Sequence, residues 1–387
     1  MITNTEMEQH TKYGWFCLIF LFGWLVACTE DASRPFMNDE EAGHVIICYT
    51  VSGNSVDTRA QTVTSEPGIG NRNENLVNEL DLFIFRSDGT FYKHVPLPDL
   101  PYDDKQNNNY HEWATGLSAE EIYNDDRIYL IANASTTVSA IQTLDGLKAA
   151  TLTGLECQEE QDYFVMDGNA TVAAAMWSDN NLVVPIDLAR AAAKVRLSFD
   201  GSVDWSQVSY RFCHYASTSS LIDLGDDEDD YLATLSLENY PAGSAEYPSS
   251  YDGLKPASPI TEQDKECLVL YSYANSWYAG DGEDDHLNTG APIDEKRETF
   301  ILLKAPYDHV LYYYEVPVNY RLPEDNDSKV PDESYKELYR LRRNYIYDIT
   351  VSIDRPGGTE TEPVKLPTLY YSVVKWNEKE IVVPPFM

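Results

Sequence analysis

A short apolar run that ends in a cysteine is the first part of the chain with a definite chemistry. Residues 16–27 form an apolar stretch with the length of a signal-peptide core, too short to cross a bilayer of roughly 30 Å as a helix. The run ends in Leu25-Val26-Ala27-Cys28, which resembles a lipobox, the motif at which the chain is cut before a cysteine whose sulfur receives lipid. We therefore predict a signal peptide at residues 1–27 and a lipid anchor on Cys28, since several acyl chains on one residue hold a protein stably at a membrane. The alternative is an ordinary secretory signal that happens to contain a cysteine.

An arginine in a polar segment is the second residue with a definite chemistry. The segment from Val56 to Glu74 is rich in Gly, Asn, Thr and Pro and has no hydrophobic period, so we expect an exposed, protease-accessible loop. A trypsin-like protease cutting between Arg59 and Ala60 would release Cys28 together with residues 44–52, a β-branched run that predicts the first strand. The sheet completed by that strand would then have an open edge and an uncovered apolar groove.

The end of the chain contains residues that could fill such a groove. After a Pro-Gly-Gly turn and a polar linker, two apolar extended pieces follow, residues 368–376 and 381–386, with a charged spacer between them. We predict that this tail enters the groove of a neighbouring subunit by β-strand addition. Its side chains available for burial are Leu369, Tyr371, Val373, Ile381, Val383 and Phe386. In the alternative interpretation, both pieces are ordinary strands of their own chain.

The composition of the chain favours β-structure around these segments. The 387 residues are 43% hydrophobic and include 28 Tyr, 12 Phe and 7 Trp, and aromatic side chains pack well on pleated, half-buried surfaces. Many short strand-like runs are bounded by Gly, Pro, Asn and Asp, which predicts sandwiches rather than alternating β-α units. The start of a fresh strand after residues 185–190 predicts a domain boundary there, with two units of ordinary size.

Three local patterns make specific predictions. Asp88-Gly89 lies between two alternating runs, which indicates a hairpin. Ser118 and Glu121 have the spacing of a capping box, which predicts a short helix. Apolar residues recur every three positions from Val138 to Leu147, which predicts one helix of about three turns.

The charge of the chain excludes one class of partner. There are 64 Asp+Glu against 28 Lys+Arg, for a formal net charge of −36. A surface of this sign repels phosphate, so we exclude DNA and RNA as partners.

No constellation of residues predicts catalysis, a cofactor or a metal. The chain contains no P-loop and no nucleophile elbow, and His111-Glu112 lacks the second histidine of a zinc protease motif. The acidic runs at 226–230 and 281–285 match no EF-hand loop, so we predict loop carboxylates rather than a calcium site. Cys48, Cys157, Cys213 and Cys267 have irregular spacings and could form disulfides in an oxidising compartment, but buried free cysteines are the favoured interpretation. We predict that the protein is not an enzyme and has no cofactor.

Read in order, these segments resemble the fimbrillin family of the Bacteroidetes, the subunits of type V pili. The motifs that carry the resemblance are the lipobox, Thr58-Arg59-Ala60, NELDLFIFRSDGTFY, RIYLIANAS, VPIDLARAAAKVRLSFDG with Arg190 and Lys194, LRRNYIYDITVSIDRPG and VVKWNEKEIVVPPF. They span nearly the whole mature chain. The heavy acidity and the Asp/Tyr-rich insert at about residues 224–259 depart from the family pattern.

The resemblance implies a complete organisation of the chain. It implies a mainly β protein with two tandem transthyretin-like Greek-key β-sandwich domains and short helices. The expected parts are a signal peptide at 1–27, a propeptide with the first strand at 28–59, an N-terminal domain at 60–188, a C-terminal domain at 189–360 and a donor-strand tail at 361–387. The implied partners are other subunits of the same fimbria, identical or accessory, an Arg-specific processing protease, and the outer membrane through the lipid before cleavage. The implied location is the cell surface, in a fimbrium that contributes to adhesion.

Two other functions are compatible with parts of this pattern. An anchor or accessory subunit of the fimbria would keep its lipid because it is not cleaved at Arg59. A surface glycan-binding lipoprotein would use an aromatic cluster as a sugar-stacking platform, for which the candidates are Tyr271, Tyr273, Trp277 and Tyr278. Alternation within a strand favours core packing for that cluster.

Overall fold

The structure is a computed structural model of the chain, and it describes most of the residues from 43 to 376. The described ranges are 43–51, 74–97, 111–134, 138–153, 163–178, 180–201, 203–224, 253–262, 265–277, 297–319, 340–366 and 368–376. Cys28, Arg59, Ala60, Cys157, Tyr278, both acidic runs and the second piece of the tail lie outside them, so the predictions made for those residues remain predictions.

The described part of the chain is mainly β, as the composition predicts. The strands in the first half are β1 His44–Val51, β2 Leu80–Phe85, β3 Phe91–Leu97, β4 His111–Ser118, β5 Arg127–Ala132, β6 Thr151–Thr153, β7 Met166–Thr171, β8 Trp177–Ser178 and β9 Asn181–Arg190. Those in the second half are β10 Ala192–Phe199, β11 Ser209–Cys213, β12 Thr218–Ser220, β13 Lys255–Pro256, β14 Ile260–Glu262, β15 Lys265–Tyr273, β16 Asn275–Ser276, β17 Phe300–Tyr307, β18 Val310–Pro317, β19 Arg340–Leu341, β20 Tyr345–Val351, β21 Val364–Lys365 and β22 Thr368–Lys375. One α-helix, α1 Leu144–Ala149, and short 3₁₀ turns at Ala119–Glu121, Ala174–Met176 and Trp205–Gln207 complete the described elements.

The first half of the chain forms an eight-stranded sheet. Its order is β3-β2-β5-β7-β9-β1-β4, and β8 also pairs with β9. Hairpin β2–β3 confirms the prediction made from Asp88-Gly89: Gly89 has φ +86° and its N–H donates to Arg86 O at 2.8 Å. A positive φ is accessible to glycine without the steric cost of a side chain, which is why this turn requires it.

The second half of the chain forms two five-stranded sheets that share one apolar core. Their orders are β14-β15-β10-β20-β22 and β13-β11-β17-β18-β21. Alternate residues of β10, β15 and β20 from the first sheet join residues of β11, β17 and β18 from the second in a single buried cluster. The short pairs β6–β12 and β16–β19 flank these sheets.

Strand β10 is buried on both faces, although Lys194, Arg196 and Ser198 alternate with its apolar residues. Ala193, Val195 and Leu197 face the core shared by the two five-stranded sheets. The alternate residues Lys194 and Arg196 are also buried, because the other face of this sheet lies against the first half of the chain. The chain changes sheets between Arg190 and Ala192.

The predicted three-turn helix is much shorter in the structure. Among the described residues of this segment, Val138 and residues 144–149 are α-helical and residues 139–143 are not. Thr143 is the N-cap of the stretch 144–149 and accepts from Gly146 N–H at 2.9 Å. Val138 is fully buried and is separated from residues 144–149 by five non-helical residues, so the three-residue spacing reflects burial of one side of a segment whose helix is interrupted. Similarly, Ser118 begins only a 3₁₀ turn, and its side chain makes no capping hydrogen bond.

Two further predictions concern cysteines and membranes. Cys48, Cys213 and Cys267 are buried, which agrees with the favoured interpretation of these three as buried cysteines. Within the described ranges, no helix has the length and apolarity needed to span a membrane.

Candidate functional site

The first strand occupies an interior position in the eight-stranded sheet. β1 pairs antiparallel with β4 on one side and parallel with β9 on the other. Its side chains Val45, Ile47, Tyr49 and Val51 are at most 2% exposed. In the described sheet, β4 and not β1 is the edge strand on this side.

In addition to apolar burial, polar and ring contacts fix the register of β1. The Thr50 hydroxyl donates to the Asp187 carboxylate on β9, and Thr115 of β4 donates to Val45 O at 2.9 Å. The Tyr49 ring stacks on His111 with centroids 5.1 Å apart. Because side chains alternate along a strand, a shift by one residue would turn the buried face outward, so this position accepts a strand in one register.

The first piece of the C-terminal tail is a strand of its own chain in the structure. β22 pairs antiparallel with β20, with Tyr371 opposite Ile349 and Val373 opposite Tyr347. Val373 is partly buried against the core of the second half, and Leu369 lies in the same strand. β22 is an edge strand with one bonded neighbour, which agrees with the alternative interpretation for this piece in the free chain.

A buried ion pair joins the described segment that begins at Glu74 to the second half of the chain. Lys194 Nζ lies 2.9 Å and 3.1 Å from the two carboxylate oxygens of Glu74, and the Tyr271 hydroxyl donates to Glu74 Oε1 at 2.5 Å. Glu74, Lys194 and Tyr271 are each at most 2% exposed. Removal of charges from water is costly, so such groups are tolerated only with partners at close range.

Trp376, directly after β22, packs into the same cluster. Its ring stacks on Tyr271 at 6.1 Å and meets Phe164 edge-on at 5.9 Å. Arg190 Cζ lies 4.6 Å and Lys194 Nζ 5.7 Å from its centroid, within the range of cation–π attraction. We call the residues around this ring, Glu74, Phe164, Arg190, Lys194 and Tyr271, the Trp376 cage.

Asn344 connects the cage to the backbone of three segments. Its side-chain oxygen accepts from Arg190 N at 3.2 Å and Arg190 Nη1 at 3.1 Å. Its own N–H donates to Ala192 O, and its carbonyl accepts from Trp376 N at 2.7 Å. Asn344 has φ +60°, a conformation that asparagine adopts more readily than other side-chain-bearing residues.

Two side chains, Arg190 and Asn133, hold the segment that begins with Glu74 by hydrogen bonds. Arg190 Nε donates to Glu74 O at 2.8 Å. The Asn133 amide donates to Leu76 O and Phe164 O at 2.8 Å and 2.7 Å, and its oxygen accepts from Asn78 N at 2.8 Å. The position of this segment is therefore set by hydrogen bonds to both the strands and the cage.

A second buried ion pair lies between the halves of the chain. Arg343 Nη2 is 2.5 Å from Asp167 Oδ1, and Asp167 Oδ2 accepts from Asp223 N at 2.8 Å. Burial raises the pKa of the Asp167 carboxyl, and the Arg343 charge opposes that shift. Burial also raises the pKa of the Tyr273 phenol to about 12, so it stays protonated at neutral pH.

The aromatic cluster considered as a sugar platform is part of the core. Tyr271, Tyr273 and Trp277 are at most 6% exposed, which confirms core packing for these three residues. No group of three or more His, Cys, Asp or Glu side chains able to hold a metal occurs among the described residues.

The sequence indicated part of the cage. Arg190 continues the alternation of Leu182, Val184, Ile186 and Leu188 on β9, so an arginine at a core-facing position was a readable signal. Glu74 lies in a polar segment with no period, and only the fold places it next to Lys194.

The fold is that of proteins from fimbriae and cell adhesion. No family model matches the chain, and no curated protein matches it in sequence. Among solved structures, a fimbrilin from Porphyromonas gingivalis aligns with a TM-score of 0.51 at 12% identity, covering 89% of this chain and 99% of its own. A candidate cell adhesion protein from Bacteroides eggerthii gives a TM-score of 0.51 at 12% identity, covering 88% and 98%. Another from Parabacteroides distasonis gives 0.50 at 15% identity, covering 87% and 98%.

The buried pair Glu74–Lys194 gives a prediction for stability. We expect Lys194→Ala to lower the free energy of unfolding of the full chain by about 3–5 kcal/mol, because it leaves the Glu74 carboxylate buried without its cation. The double variant Glu74→Leu/Lys194→Met removes both charges but also the Glu74 acceptor of the buried Tyr271 hydroxyl, so it should lose about 1–3 kcal/mol, less than the single variant. Urea denaturation followed by circular dichroism measures both; equal losses in the single and double variants would contradict the ion-pair explanation.

Proposed function

We propose that the protein is a structural subunit of a cell-surface fimbria. In this proposal it is exported as a lipoprotein through Cys28, cleaved after Arg59, and polymerised by donor-strand exchange. Its two halves act as tandem transthyretin-like β-sandwich domains, and its partners are other fimbrial subunits and an Arg-specific protease. The fold shared with a fimbrilin and with candidate adhesion proteins supports this function.

The interior position of β1 is the observation that carries the proposal. The strand ends at Val51, upstream of Arg59, so a cut there separates it from the rest of the chain. Its departure would leave β4 and β9 with unpaired backbone groups on both sides of an apolar groove. Burial of each large side chain of β1 contributes roughly 1.5–3 kcal/mol, so an empty groove is unstable in water and requires another strand.

The neighbours of β1 define what a replacement strand must look like. It must run parallel to β9 and antiparallel to β4. Apolar side chains at alternate positions must take the places of Val45, Ile47, Tyr49 and Val51. The tail residues Leu369, Tyr371 and Val373, and then Ile381 and Val383, have that spacing, so a neighbouring copy of the chain is the proposed donor.

Before assembly, the tail can pair as β22 with β20 of its own chain and still serve later as a donor. Among the described strands, β22 has a single ladder of backbone hydrogen bonds, to β20. A tail that is at home in the monomer is protected from aggregation, since exposed edges and apolar strands pair with other chains. On exchange, the tail leaves the edge of the sheet in its own subunit and enters the interior position left by β1 in the next subunit.

The N-terminal residue of the surface-assembled protein tests the proposal. We expect Ala60, determined by Edman degradation or mass spectrometry of fimbriae sheared from cells. Lipidated Cys28 as the N-terminus of the assembled protein would instead assign an anchor or accessory role.

Lipid attachment gives a separate prediction. We expect Cys28→Ala to abolish incorporation of radiolabelled palmitate, because it removes the proposed site of lipid attachment. Surface delivery should fall at least about tenfold, because the chain then lacks the acyl chains that would hold it at the membrane. Surface immunolabelling and fractionation measure delivery. Cys48→Ala is the matched control, since this buried cysteine lies outside the lipobox; palmitate labelling that persists in Cys28→Ala would disprove the assignment.

A further inference from the structure

Trp376 lies where the C-terminal tail, the start of the mature chain and the two halves meet. Its cage is built from Glu74 in the first described segment after Arg59, from Phe164 and Arg190 in the first half, and from Lys194 and Tyr271 in the second. Trp376 is 1% exposed. The tail is therefore held by its ladder to β20 and also by one large side chain at its exit from the sheet.

The binding of this side chain depends on the placement of charges. Arg190 and Lys194 both approach the ring, and tryptophan is the aromatic side chain that attracts cations most strongly. Among the described residues the Trp376 indole N–H has no acceptor, which offsets part of the gain from burial. Docking is therefore sensitive to whether the two cations remain in position.

One of the two cations lies at the end of the strand that pairs with β1, and the other is linked to it through Glu74. Arg190 lies two residues after Leu188, which pairs with Val51 at the end of β1. Lys194 is held by the carboxylate of Glu74, whose carbonyl also accepts from Arg190. Loss of β1 would remove one hydrogen-bonded neighbour of β9, the strand that ends at Arg190.

We propose that Trp376 is a latch that holds the tail on its own chain, and that the loss of β1 weakens this latch. The inference rests on the proposed function, since it explains why a tail kept at home before cleavage becomes available to a neighbour afterwards. It assigns the cage residues Arg190, Lys194 and Glu74 the role of sensing whether β1 is present.

Hydrogen exchange of residues 368–376 tests the latch in the uncleaved full chain. We expect Trp376→Ala to speed their exchange at least about tenfold, while the strands of the eight-stranded sheet keep their protection, because the opening is local. Trp277→Ala is the matched control: Trp277 is also fully buried with no indole acceptor among the described residues, but it belongs to the other core cluster. Trp376→Phe keeps an aromatic ring and serves if the alanine variant does not fold.

Unchanged exchange of residues 368–376 in both Trp376 variants would overturn the latch, as would equal acceleration by Trp277→Ala. The dependence on β1 is measured by comparing the uncleaved chain with freshly cleaved monomer before assembly. Faster exchange of the tail after cleavage supports the dependence, and identical exchange overturns it. Because these measurements use monomers, they do not depend on whether fimbriae form, so the latch and the proposed function can fail separately.

Discussion

Arg59→Ala is expected to leave the protein as a full-length, lipidated monomer and to reduce fimbrial polymer to below about one hundredth of the wild-type amount. The uncut chain keeps β1 between β4 and β9. An intramolecular strand has a high effective concentration, so a neighbour's tail cannot displace it. Ladders of SDS-resistant oligomers on gels of unheated samples, and electron microscopy of cells, measure the loss.

Arg72→Ala is the matched control for this prediction. Arg72 is the other arginine between β1 and Glu74, and a cut there would also separate β1 from the rest of the chain. We expect this variant to assemble normally. Normal ladders in Arg59→Ala together with their loss in Arg72→Ala would assign the cleavage site to Arg72 instead of Arg59. Normal ladders in the double variant would refute cleavage-dependent assembly.

Removal of residues 377–387 is expected to abolish polymerisation and to leave a folded monomer. This truncation deletes Ile381, Val383 and Phe386 but keeps β22 and Trp376. The free chain therefore retains its edge strand and its latch, while the donor loses its second apolar piece. Thermal melting by circular dichroism should match that of the full chain, and oligomer ladders should be absent.

Truncation after Leu366 distinguishes the role of the tail in stabilising its own chain from its role as donor to a neighbour. This longer deletion also removes β22 and Trp376, and loss of a fully buried tryptophan side chain alone costs about 3–5 kcal/mol. We expect a lower and broader melting transition, in contrast to the truncation after Trp376. The home pairing of β22 is the reason for the difference. Polymer formed by the chain that ends at Trp376 would show that the first piece suffices as donor.

Charge makes a specific strand contact necessary for assembly. Residues 60–387 carry 56 Asp+Glu and 25 Lys+Arg, a net charge of −31. Copies of such a chain repel one another at long range. In the proposed donor-strand exchange, apolar side chains inserted in the groove would supply attraction, and backbone hydrogen bonds would supply register, which charge alone does not provide.

Local pattern in the sequence was sufficient to predict the strands and the hairpin. Runs such as LDLFIF and RIYLIA carry their own signal in β-branched and aromatic residues, and Asp88-Gly89 supplies a turn that only a few residue types form. The proposed sites at Cys28 and Arg59 also rest on local motifs, because proteases and lipidating enzymes act on short extended segments. For the segment from Val138 to Leu147, the same kind of reasoning was wrong about helix length, since an irregular segment buried on one side has a similar spacing.

The tertiary structure alone decided where those strands lie and which charges are buried together. The pairing of β1 with β9 joins residues more than 130 positions apart, and no local pattern distinguishes an interior strand from an edge strand. Glu74 and Trp376 have no sequence feature that links them to Lys194; they meet because the chain changes sheets after Arg190 and returns at its end to the edge of β20. Long-range order of this kind follows from the burial of whole faces, which is a property of the packed chain and not of any segment.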